Sequence, residues 1–261
     1  MKEQWDWAAD NPVAGYRLLN GKAWVERYYG HYRSARLLEE RAFHMSDQEG
    51  TSPTGAIYDI DDALNEAEAG SLVRAREMAE KTLKTGEGRN ARLALALAFA
   101  RAGNIEQARK LADSVDQAAP SDTVVQHYCL PTIRAAMKLE ANDPAGAVEI
   151  LRATETYEMS YPRAFNGLYP AYIRGLAYLQ MHEGRQAMGE FQKLLDHPGI
   201  VGRNVIGALS HLQMARAEKL AGDGPAARKS YEEFLTLWKD ADSDLPLYQQ
   251  AKAECAKMHS H

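Results

Sequence analysis

The chain has 261 residues, 45% of them hydrophobic, with 31 basic against 36 acidic side chains and a net charge of −5. This balance gives no global pull toward nucleic acid or anionic lipid, and no apolar run approaches the roughly 20 residues of a transmembrane helix, so a soluble chain without membrane insertion is expected. Ala, Leu, Glu, Arg and Lys dominate, long β-branched runs are absent, and the two cysteines, Cys129 and Cys255, form no CxxC zinc or redox motif; the composition favours helix almost throughout.

The N-terminal MKEQWDWAADNP lacks the apolar core of a signal peptide. Its Trp5 and Trp7 read as the tail of a preceding element, so a piece of a longer protein is expected. Six helix pairs follow. The first, at about 13–43, carries Leu18, Leu19, Trp24 and Tyr28 on its first helix and SARLLEERAF as its second. A polar loop at 46–55 leads to the second pair at 56–83. There Asp59, Asp61 and Asp62 read as a solvated helix face, because a calcium loop would need a glycine and a later glutamate at fixed spacing. The third pair spans 90–115. The fourth spans 124–154, with Pro131 near its start. The fifth, 169–198, has Tyr172, Gly175, Leu176, Tyr178 and Leu179 at helical spacing, a turn at His182–Gly184, and then Ala187, Phe191, Leu194 and Leu195 before the stop at His197-Pro198. The sixth spans 206–238. A last helix at 245–258 puts Leu247, Tyr248, Ala251, Cys255 and Met258 on one face and Gln249, Gln250, Lys252 and Glu254 on the other, the pattern of a helix that caps a stacked array.

The pairs share a register. Each second helix carries an alanine at the same place, namely Ala35, Ala75, Ala108, Ala147, Ala187 and Ala227, at intervals of 40, 33, 39, 40 and 40. Five residues earlier stands a residue that tolerates the left-handed conformation ending a helix: Gly30, Gly70, Gly103, Asn142, His182 and Gly222. Ser71, Asn104, Asp143 and Asp223, one residue on, suit the start of the next helix. Twelve residues before each alanine is a second small residue: Ala23, Ala63, Ala96, Ala135, Gly175 and Ala215. Small residues at both places let paired helices cross at the short end of the usual 8–10 Å or so.

This spacing, with Gly-Asn or Gly-Asp between the small positions, resembles the tetratricopeptide repeat. Gly103-Asn104, Ala108 and Pro120 match its motif, as do Gly175, Tyr178, Ala187 and Pro198. The resemblance covers nearly the whole chain and implies an all-α, right-handed α-solenoid forming a single domain over 1–261. The longer intervals, against 34 in the motif, are placed in longer helices or loops. Helical repeats with longer periods are the runner-up architecture.

In that family the first helix of each pair lines a concave groove. Carried over, the groove positions fall on Arg17, Lys22, Arg27 and Tyr28, then Asp61, Leu64 and Glu68, then Asn90, Leu97 and Arg101. Thr132, Ala136 and Glu140 follow, with Tyr169, Tyr172 and Gln180, and Gln213, Arg216 and Lys219. The last six are the expected partner-binding set, because amphipathic aromatics beside basic and amide groups suit a segment with apolar anchors and an acidic flank; the alternative is that both tyrosines only pack on neighbouring helices. The family's clamp for chaperone tails needs lysine and asparagine where this chain has Gly21, Trp24, Ile60, Leu64, Leu93 and Leu97. A narrower stretch, LYPAYIRGLAYL through AARKSYEEFLTLWKDADSDLPLYQQAKAE, resembles the C-terminal repeat region of acidobacterial serine/threonine kinases and winged-helix regulators. That likeness implies a signalling context, in the cytoplasm, or in the periplasm behind a membrane span lying elsewhere in a longer protein.

No glycine-rich phosphate loop, VAIK-like lysine, HRD, DFG or nucleophile elbow occurs, so no catalytic residue or cofactor is assigned. No HExxH occurs and the pair His259 and His261 is not taken as a specific metal site. The expected function is a non-catalytic interaction module for a protein or peptide. The alternatives are a ligand-sensing region of a fused kinase or transcriptional regulator, and self-assembly into a homo-oligomer through the first repeat.

Overall fold

The computed structural model describes residues 15–48, 62–84, 88–160, 162, 164–165 and 167–258. Trp5, Trp7, positions 49–55 of the polar loop, Asp59, Ile60, Asp61, His259 and His261 lie outside these residues. Among the described residues the chain is helical with no strand. The pairs are α1 (Gly15–Tyr28) with α2 (Tyr32–Gln48), α3 (62–68) with α4 (Leu72–Leu83), and α5 (Arg89–Arg101) with α6 (Ile105–Ala118). Then come α7 (Leu130–Glu140) with α8 (Pro144–Leu151), and α9 (Tyr169–Gln180) with α10 (Gly184–Asp196). The short α11 (Pro198–Val201) precedes α12 (Val205–Leu220) and α13 (Gly224–Leu237), and α14 (Pro246–Met258) ends the array.

One local device ends all six first helices. Gly30, Gly70, Gly103, Asn142, His182 and Gly222 have φ of 81, 87, 83, 59, 59 and 86°. At each, the next residue's N–H reaches back five positions, as in Asn104 to the Phe99 carbonyl at 2.8 Å and Asp223 to the Glu218 carbonyl at 2.9 Å. These bonds satisfy carbonyls that the helix end leaves open. The following helix then starts on a side-chain cap where one is available: Asn104, Asp143 and Asp223 accept from the backbone N–H groups of Gln107, Gly146 and Ala226. Ser71 makes no such bond, against the sequence expectation. Pro131, in the first turn of α7, has no N–H to return to the preceding turn, and ahead of it the chain widens into a π turn over Val125–Cys129, with Leu130 N–H donating to the Val125 carbonyl.

The register alanines Ala35, Ala75, Ala108, Ala147, Ala187 and Ala227 are all fully buried, as are Ala23, Ala63, Ala96, Ala135 and Ala215. At Gly175 the helices approach so closely that a Cβ there would lie 2.6 Å from the Phe191 ring. The first helices α5, α7, α9 and α12 pack successively on one another, with α6, α8 and α10 outside them.

The two ends of the array meet. Trp238 Nε1–H donates to the Tyr28 carbonyl at 2.9 Å, and Asp242 N–H to the Gly30 carbonyl at 3.0 Å. Arg33 binds Asp242 through its backbone N–H at 2.7 Å and Asp244 through its guanidinium at 2.9 Å. α14 packs against α13, and Leu247 N–H donates to the Ala69 carbonyl at 3.3 Å, so the same helix also reaches the second pair. At the centre of this closure lies α3, buried at every position from 62 to 68. Asp62 is therefore not on a solvated face: its carboxylate meets the buried Arg27 guanidinium at 2.6 Å, which also pairs with Glu39. Glu66 accepts a two-pronged bond from Arg36, from Nε at 2.7 Å and Nη2 at 2.8 Å. Glu68 does the same with Arg101 at 2.7 and 3.0 Å.

Candidate functional site

The first-helix positions expected to line an open groove are largely enclosed. Arg27, Leu64, Glu68, Leu97, Thr132, Ala136, Tyr169, Tyr172 and Gln213 are all buried. The physical reason is the closure: inner helices that would face a channel pack on one another and on α3. Tyr169 directs its hydroxyl at the Glu68 carboxylate, 3.4 Å away. The Tyr172 ring stands edge-on to those of Tyr169 and Phe191, with centroids 6.0 and 6.1 Å apart. Burial, with the Glu68 charge beside it, pushes the Tyr172 phenol well above its ordinary pKa. Direct ligand contact by these two tyrosines is thus replaced by helix packing.

The other four residues of the expected set do come together. Gln180 at the end of α9, and Gln213, Arg216 and Lys219 on successive turns of α12, line a concavity of about 560 Å³. Leu176, Leu179 and His182 complete the α9 wall, Leu220 extends the α12 wall, and Tyr231 of α13 and Glu254 of α14 close the far side. Residues 213, 216 and 220 lie three and four apart, so one helix face presents them together.

Arg216 is fixed from α14. Its Nε and Nη2 donate to the two oxygens of Glu254 at 2.9 and 2.8 Å, and Tyr231 adds its hydroxyl to the same carboxylate at 2.9 Å. Burial opposes ionisation of both partners, but the bidentate bond outweighs it: the Arg216 pKa is raised and that of Glu254 is lowered. Gln180 donates to Asn142 Oδ1 at 2.6 Å, tying the rim to the preceding turn. Lys219 and Leu220 stand exposed at the rim. The floor is therefore rigid and internally neutralised, whereas the rim offers an ammonium, an amide, an imidazole and leucine side chains. Tyr231, Glu254 and His182 were not legible as site residues. Glu254 reads only as the polar face of a last helix, and nothing local places it against α12.

Among the described residues no group of three His, Cys, Asp or Glu side chains could hold a metal, and no helix is long and apolar enough to cross a membrane. Cys129 is buried, which pushes its thiol up to about 12 and disfavours the thiolate.

No family model matches the sequence, and no match was found among curated proteins. Among solved structures the chain is similar to yeast Tom70, with a TM-score of 0.52 and 12% identity over 99% of this chain and 57% of that one. At that identity the likeness concerns the fold alone. The chain has an all-α helical-repeat fold of the tetratricopeptide type and spans a little over half the length of the Tom70 chain.

Proposed function

We propose that the chain is a non-catalytic interaction scaffold that holds an extended partner segment in the concavity between α9, α12, α13 and α14. The observation that carries this reading is the split between floor and rim. Arg216 and Glu254 neutralise each other beneath, while the exposed Lys219 and Leu220 stand above beside Leu176, Leu179, Gln180 and His182. Apolar side chains next to one exposed cation suit a segment with leucine-like anchors and an acidic flank. Tyr172 and Arg216 serve as the supporting layer, and Gln180, His182 and Lys219 as the contacting one.

The test is selection from a displayed peptide library against the wild-type chain and against a Gln180→Ala/Lys219→Glu variant. Both substitutions sit at exposed positions that leave the Arg216–Glu254 pair intact. Peptides with apolar anchors and acidic flanks should be enriched by the wild type and lost with the variant; equal enrichment by both places the binding surface elsewhere. Placement in a signalling protein, behind a kinase or winged-helix module, rests on the resemblance of residues from 168 onward. A second reading, self-association, is favoured by the exposed Leu37 of α2 and Leu72 and Val73 of α4. A rise in scattering mass with concentration, lost in Leu37→Glu/Val73→Glu, would support it.

A further inference from the structure

A second cleft, of about 700 Å³, lies where the ends of the array meet, and it differs in chemistry from the first. One wall is the end of α1 and the turn after it, with Tyr28, Tyr29 and His31; the other is α12 and α13, with His211, Glu233 and Leu237. A cleft of this size is in the usual range for a bound side chain or small ligand. The aromatic wall already accepts a guanidinium: Arg203 sits over the Tyr28 ring, 5.4 Å from its centroid. Tyr29 stands perpendicular to Tyr28, at 83° and 5.3 Å. Glu232, Glu233 and Asp240 also line the cleft, with Lys229 and Lys239 beside Glu233 and Asp240. Both lysines are on exposed stems, 79 and 73% accessible, and meet Glu233 and Asp240 only at 3.6 and 3.9 Å. Burial lowers the His211 pKa, against the opposing pull of Glu233, and so disfavours the charged imidazolium.

We propose that this cleft binds an arginine side chain of a partner peptide, its guanidinium laid against Tyr29 and paired with the carboxylates of Glu232 and Glu233. A planar guanidinium forms two parallel bonds to a carboxylate and stacks on an aromatic face, neither of which the Lys229 ammonium can do. Because the two walls come from opposite ends of the chain, the site is complete only when the array is closed. Arginine binding therefore holds the closure, by the ordinary linkage between ligand and the state it prefers. The proposal is independent of the acidic-segment site at Lys219, since it concerns another cleft and a ligand of opposite charge.

The experiment is a calorimetric titration of the full chain with a blocked Ala-Arg-Ala peptide and with its citrulline counterpart, which keeps the shape and loses the charge. Saturable binding of the arginine peptide, at least tenfold tighter than the citrulline one, is expected, together with a rise in melting temperature. Glu232→Gln/Glu233→Gln should weaken it at least tenfold, whereas Glu106→Gln, an exposed charge change on α6, should leave it unchanged. Should the double variant prove misfolded by circular dichroism, Tyr29→Leu should give a tenfold loss through the aromatic wall alone. Equal binding of the two peptides, no saturable binding, or full affinity in the folded variants would overturn the assignment. Failure here leaves the displayed-peptide result at Lys219 standing, and the reverse also holds.

Discussion

Helices α3 and α5 occupy equivalent places, as first helices of adjacent pairs, and both are buried, yet they are written in opposite chemistry. α5 buries an unbroken apolar run from Leu93 to Ala100. α3 buries Asp62, Asn65, Glu66 and Glu68 alongside Ala63, Leu64 and Ala67. The neighbours make the difference. The Leu93–Ala100 run sits in the apolar core, whereas the neighbours of α3 supply Arg27, Arg36 and, from the end of α5, Arg101, one guanidinium for each acid, with Arg74 3.5 Å from Glu66. Tyr32 adds its hydroxyl to the Asn65 carbonyl at 3.0 Å. Burial at one architectural position thus needs either no charge or fully matched charge, and the second solution depends on residues far away in sequence.

The sharpest way to break the comparison is to remove one partner at α3. Arg101→Ala leaves the Glu68 carboxylate, 1% exposed, without its fork. The expected loss is about 3–5 kcal/mol in denaturant unfolding, with Arg101→Met/Glu68→Met recovering much of it. A loss under about 1 kcal/mol, the level of an exposed pair, would mean water reaches Glu68. On the apolar side, Ala96→Leu inserts volume into a fully buried position of α5 and should cost about 1–3 kcal/mol. Wild-type unfolding of that variant would show slack in the packing.

A smaller effect separates the two pairs at their second helices. Asn104, whose side chain accepts from Gln107 N–H, should cost about 1 kcal/mol when changed to Ala. Ser71, with no side-chain cap bond, should cost only a few tenths on the same scale. The smallest expected effect is a pH dependence at the closing helix. The folded pKa of Glu254 is lowered, so the unfolded chain takes up the proton first as pH falls. Its stabilisation is present above the ordinary glutamate value of 4.5 and is lost as pH drops through the folded value. Stability curves of the wild type and Glu254→Gln should therefore converge in acid; parallel curves would show that Glu254 does not titrate against Arg216.

The helix pairs, their stops and their small crossing positions were legible because each depends on residues close in sequence, the stops within five of one another and the crossing positions twelve apart. Gly103 and Asn142 end helices by the same backbone bonds wherever the chain goes next, and Ala187 is buried wherever two helices cross at that turn. The acidic face at Asp62 was misread because its solvation depends on Arg27, which a local pattern does not pair with it. The expected binding set divided for the same reason. Gln180, Gln213, Arg216 and Lys219 share a concavity because α9 and α12 are neighbours in the array. Tyr169 and Tyr172 left the surface because the array closes, bringing Glu68 and Arg101 over them. Closure itself rests on Trp238 at the Tyr28 carbonyl and Asp242 at the Gly30 carbonyl, bonds between residues more than 200 positions apart. The sequence alone determined the repeating unit, since local backbone bonds and side-chain volume suffice for it. That the ends meet, and what the centre holds, follows from long-range pairing, which sets whether a charge or a tyrosine is solvated.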